Sequence, residues 1–135
     1  MKKAKYQKDI ELFLQLAENE FSYLKWDLQG KNFTPVCFWS HQVMEKSLKA
    51  LWAFYERKPI KIHKLVSLIK GIEDLIPEIS KFLESAKFLD AYYIETRYGA
   101  HGSKILEPVE EEAQKARGYA ERVLVFVKKK LAPEI

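Results

Sequence analysis

A single cysteine, Cys37, leaves this chain of 135 residues with no internal disulfide and no multi-thiolate metal site. The three histidines, His41, His63 and His101, stand in separate segments. Neither a His-Glu-x-x-His nor a Cys-x-x-Cys spacing occurs, so no metal ligand set is expected and no cofactor is implied. Glycine and proline are sparse, at five each. They build no glycine-rich phosphate loop and no Gly-x-Ser-x-Gly turn, which sets aside phosphate-loop enzymes and serine hydrolases. No apolar run approaches membrane-spanning length, and the opening Met-Lys-Lys-Ala-Lys-Tyr lacks the apolar segment of a signal peptide. The expected location is the cytoplasm, with no membrane partner. Strand-like alternation, internal repeats and low-complexity segments are also missing.

What remains is a folded composition, 47% hydrophobic and 31% charged, long enough to bury a core as one domain spanning 1–135. The formal charge of +4 gathers at Lys2, Lys3, Lys5 and Lys8, at Arg57, Lys58, Lys61 and Lys64, and at Lys128 to Lys130. Two such groups brought together would hold a phosphate backbone. The plainer reading is a solvated lysine face, with the last group placed to suit a helix C-terminus.

The chain is organised around Phe33 to Arg57. Val36, Trp39, Val43, Ser47, Leu48, Leu51, Phe54 and Tyr55 follow three-and-four spacing, and Phe38 and Trp52 widen the apolar face until the helix must be central. Thr34 is placed to cap it, Pro35 to take its first position and Pro59 to end it. A polar strip of Gln42, Glu45, Lys46 and Lys49 runs along one side, with Glu45 and Lys49 spaced for an ion pair. It reads first as a solvated edge and second as a binding face. Before it, Lys8 to Gln29 form a helix with Ile10, Phe13, Leu14, Ala17, Phe21, Leu24 and Leu28 inward, stopped by Gly30, so that the two helices make a hairpin.

After it, a short helix begins near Ile62 with Leu65, Leu68, Ile69 and Ile72 inward. Pro77 separates it from a fourth, Glu78 to Tyr98, whose expected inward set is Phe82, Leu83, Ala86, Leu89 and Tyr93, with Thr96 as a further candidate. A fifth starts at Pro108 and carries a stripe from Val109 through Ala113, Ala116 and Ala120 to Val123, Leu124, Val127 and Leu131. Its alanine half is expected to lie tight against the central helix or a second subunit. The fold class is all-α, an antiparallel up-and-down bundle of about five helices.

Chemistry concentrates at Glu95-Thr96-Arg97-Tyr98-Gly99-Ala100-His101, where an arginine leaves a helix and a histidine follows a glycine turn. Such a pair suits metal-independent RNA cleavage. The histidine takes a proton from a ribose 2′-OH while the arginine stabilises charge on the attacked phosphate. The bland alternative has Arg97 bonding carbonyls at the helix end and His101 exposed in a loop. His63 reads as a cap or packing residue of the third helix. His41 reads as packing or surface, unless it faces Arg97 across a cleft.

Gln42-x-x-Glu45-Lys46-x-Leu48-Lys49-Ala50, then His63-x-Leu65, then Tyr93-x-x-Thr96-Arg97-Tyr98, taken in this order, resemble the HEPN domain family over nearly the whole chain. The resemblance implies a helical bundle that dimerises around two arginine-containing motifs, paired with a minimal nucleotidyltransferase and often part of a toxin–antitoxin system. It implies binding of RNA or nucleotide near Arg97 and His101, with Gln42, Glu45, Lys46, Lys49 and Tyr98 as candidate binding residues. A metal-independent endoribonuclease using Arg97 and His101 is the alternative, and a purely structural or interaction bundle the third. Fewer residues separate Arg97 from His101 than in the family's arginine–histidine pairs. Gly99 and Ala100 stand where nucleotidyltransferase-paired members carry proline and an acid, and Tyr119, the next tyrosine, lies inside the last helix.

Overall fold

The computed structural model describes residues 6–58, 61–97 and 107–132, the side chains of 94–97 excepted. Five α-helices follow one another: α1 (Gln7–Gln29), α2 (Phe33–Phe54), α3 (Leu65–Lys70), α4 (Leu83–Arg97) and α5 (Glu110–Leu131), with a 3₁₀ segment (Pro77–Phe82) leading into α4. They form an up-and-down bundle in which α2 packs against each of the other four helices. Fourteen of its 22 residues are buried, so it lacks the single wet face of a surface helix.

The α1–α2 hairpin turns through a motif the sequence does not advertise. Lys31 takes a left-handed φ of 60°, while Gly30 sits at −81°. The Lys31 N–H bonds Leu28 O at 3.1 Å and the Asn32 N–H bonds Asp27 O at 2.7 Å, closing the last carbonyls of α1. The end of α2 repeats the pattern. Glu56 takes φ 60°, its N–H bonds Ala53 O, and the Arg57 N–H bonds Trp52 O at 2.8 Å. The helix therefore stops at Phe54, short of the expected Arg57, and closes before Pro59, which lies outside the described residues. At its start the capping position belongs to Asn32, not Thr34, and Pro35 sits within the first turn, where its missing N–H is still without cost.

Other boundaries move for related reasons. The third helix begins at Leu65, and the stretch expected to open the fourth helix winds as 3₁₀ before α4 starts at Leu83. Helix α5 begins at Glu110, and the Val109 N–H is accepted by Glu112 Oε1 at 3.0 Å, leaving the Val109 side chain exposed rather than inward. The rest of the stripe is buried. Ala113 and Ala116 lie in the main core, and Ala120 packs with Ala17, Val43 and Leu124 where α1, α2 and α5 meet. On α4 the buried tyrosine is Tyr92, whose hydroxyl donates to Glu112 Oε2 at 2.8 Å. Tyr93 is only half-buried.

Candidate functional site

The polar side of α2 is not a solvated edge. Glu45 is 2% exposed and Lys49 8%, and their expected pair forms inside the protein, with Lys49 Nζ 2.8 Å from Glu45 Oε2. The same carboxylate oxygen lies 2.9 Å from His63 Nδ1, on the segment that leads into α3. Burial alone would raise the pKa of Glu45. Hydrogen bonds from Lys49 and His63, backed by the charges of Lys49 and Lys46, outweigh it and hold the group below the ordinary glutamate range. An ionised buried carboxylate with two donors is thus the centre of the cluster.

His41, fully buried, extends the cluster to α4. Its Nε2 lies 3.1 Å from Asp90 Oδ1, and its Nδ1 faces Glu45 Oε1 across 3.8 Å, neither of these last two atoms having a hydrogen-bond partner among the described residues. Asp90 accepts the backbone N–H groups of Leu65 (2.8 Å) and Val66 (3.1 Å) as well. It therefore caps α3 from another helix, because Lys64 at the capping position offers no acceptor. Asp90 escapes a reading by periodicity, since it looks like any polar residue of an amphipathic helix. The missing local cap of α3 is the signal that an acceptor had to come from elsewhere.

One turn beyond Asp90, the ring of Tyr93 lies against the cluster. It stacks on His41 at 4.4 Å between centroids, and Phe38 and His63 lie nearly parallel to it at 6.1 and 6.3 Å. Of the cluster's polar members His63 reaches water, with 53% of its side chain exposed. The backbone of α4 then runs one more turn to its end at Arg97. The Arg97 side chain, Tyr98 and His101 lie outside what the structure describes.

The remaining strip residues stand differently. Lys46 is half-buried and 3.6 Å from Glu20 of α1, and Gln42 is half-buried with its Oε1 unpartnered among the described residues. Lys46 is thus turned toward the α1 side, and Glu45 and Lys49 into the interior. Cys37, fully buried on the same helix, behaves as a small apolar side chain; burial, helped by the nearby Glu112 charge, pushes its thiol up to about 12. Among the described residues no group of three or more potential ligands is placed to hold a metal ion, and no helix is long and apolar enough to cross a membrane.

Comparison with known proteins places this arrangement in a family. The HEPN domain matches residues 10–130. Among solved structures, TT1696 from Thermus thermophilus is 31% identical with a TM-score of 0.78, over 90% of this chain and 98% of that one. ST0689, an archaeal HEPN homologue, is 25% identical with a TM-score of 0.73, over 97% of this chain and 99% of that one. No curated protein matches. With the family matching from α1 to the last turn of α5, and an archaeal HEPN homologue sharing the fold along nearly the whole chain, the chain belongs to the HEPN domain family.

Proposed function

We propose that this chain is the helical partner module of a minimal nucleotidyltransferase, that it binds RNA or nucleotide around Arg97 and His101, and that the two proteins form a toxin–antitoxin pair. One observation carries the binding site. The last turns of α4, which end at Arg97, rise from a cluster where Tyr93 stacks on His41 beside the water-exposed His63. A helix whose last residue is an arginine, one turn beyond an exposed imidazole, suits a phosphate. Glu45 and Lys49 support such a site from behind, since their burial favours holding His63 in place over touching a ligand.

The test is binding of labelled RNA and nucleotides to the purified chain with a chelator present. Arg97→Ala and His101→Ala are expected to weaken binding, without cleavage. Chelator-resistant fragments abolished by the same substitutions establish the endoribonuclease instead. Unchanged binding and partner association in Arg97→Ala leave only a structural bundle. Co-expression with a nucleotidyltransferase encoded beside it is expected to yield a complex, and failure to associate removes the partner reading. A homodimer that joins two α4 ends is expected by light scattering, and a monomeric mass at high concentration contradicts it.

A further inference from the structure

At the opposite end of α4 from Arg97, the 3₁₀ segment and the first turn of α4 meet the C-terminal half of α5 along an open groove of about 950 Å³. Its floor is apolar. Phe82 and Phe126 meet edge to face with 5.3 Å between centroids, and Tyr119 and Val125 extend the surface along α5. Val125 is 45% exposed on a helix whose Val123, Leu124, Val127 and Leu131 are all buried. Covering it would remove apolar area from water that no described residue of this chain covers.

The charges around that floor do not balance. Lys130 engages Glu78, and Arg117 engages Glu121 at 3.8 Å, so both acids of the groove are occupied. Lys81, Arg122 and Lys129 have no acidic partner among the described residues. Lys81 lies instead over the rings of Phe126 (4.7 Å) and Phe82 (5.3 Å), and Arg122 over Tyr119 (5.3 Å). The result is an apolar trough with a rim of cations that no described acidic residue neutralises.

We propose that this groove docks an acidic, amphipathic segment of a partner protein, whose apolar side chains cover Val125 and Phe126 and whose carboxylates pair with Lys81, Arg122 and Lys129. A single-stranded nucleic acid fits less well. Base stacking needs open ring faces, whereas Phe82 is 9% exposed and Lys81 and Arg122 already lie over the rings of the groove. The inference stands apart from the reading of Arg97 and His101, because it concerns the other end of α4.

Selection from a random peptide library displayed on phage tests it, with the folded wild-type chain as bait and two variants, Val125→Asp and the pair Arg122→Glu with Lys129→Glu. All three positions are exposed, and melting curves are the check that the variants fold. The expected result is enrichment of peptides that combine acidic and apolar residues, with affinity falling about tenfold or more in either variant and with added salt. Arg97→Ala leaves that affinity unchanged, which separates this proposal from the reading of the α4 end. No enrichment, enrichment without acidic residues, or equal binding by the variants overturns it. So does a uridine-rich RNA oligonucleotide that displaces the peptides and loses affinity in the same variants.

Discussion

Glu45 concentrates the energetics of the site in one carboxylate. Its folded pKa is depressed, so its contribution to stability is complete above the unfolded-state value and fades as acid protonates the folded form. Glu45→Gln leaves Lys49 buried without its counter-charge and is expected to cost about 3 kcal/mol at neutral pH. In urea titrations that gap narrows as the pH falls below the ordinary glutamate value and through the depressed one. Gly71 matters for a different reason. A Cβ there would come within 2.2 Å of the Trp52 ring, whose Nε1 donates to Leu68 O at 2.8 Å. Gly71→Ala is expected to cost about 2 kcal/mol and to change tryptophan fluorescence as the ring shifts. Lys31 works in the opposite direction: an L-residue held at φ 60° is strained, and Lys31→Gly is expected to stabilise the chain by about 0.5 kcal/mol in thermal melts. The spacing of Glu45 and Lys49 was legible beforehand, whereas the roles of Gly71 and Lys31 were not. A left-handed lysine carries no mark in the sequence, and a glycine's neighbours are known only once α3 has been laid across α2.

The helices themselves were largely legible, because apolar residues at three-and-four spacing specify which face turns inward. That spacing identifies the stripe of α1, the inward set of α3 and the alanine half of α5, all of which are buried or half-buried as expected. It fails where six residues must be assigned between periods of 3.0 and 3.6, and so the 3₁₀ segment from Pro77 was merged into α4. It also fails for tertiary ties. Glu112 receives the Val109 N–H and the Tyr92 hydroxyl, which lowers its pKa, whereas burial in the first place and the bond to Glu112 in the second raise that of Tyr92. This carboxylate fixes the start of α5 to α4. Tyr92→Phe is expected to cost about 1 kcal/mol in chemical denaturation, with the first turn of α5 exchanging its amide protons faster than in the wild type.

At the scale of the molecule, bundle and family were within reach of the sequence, whereas the wiring of the site was not. His41 and Asp90 stand 49 positions apart, and His63 and Glu45 stand 18 apart; no local pattern joins them. The polar strip on α2 was visible, but its burial depends on what α3 and α4 lay over it. Cys37 offers a global probe, since its thiol is fully buried and poorly ionised. A disulfide reagent is expected to react with it only as fast as the whole fold opens, a rate read by comparing labelling in buffer and in denaturant. The central position of α2 carries one more consequence. Because each of the other helices rests on it, none can detach without wetting part of its surface. Native-state hydrogen exchange should therefore find the amides around Met44 and Leu48 released together in a single slow event, with no half-open intermediate to precede it.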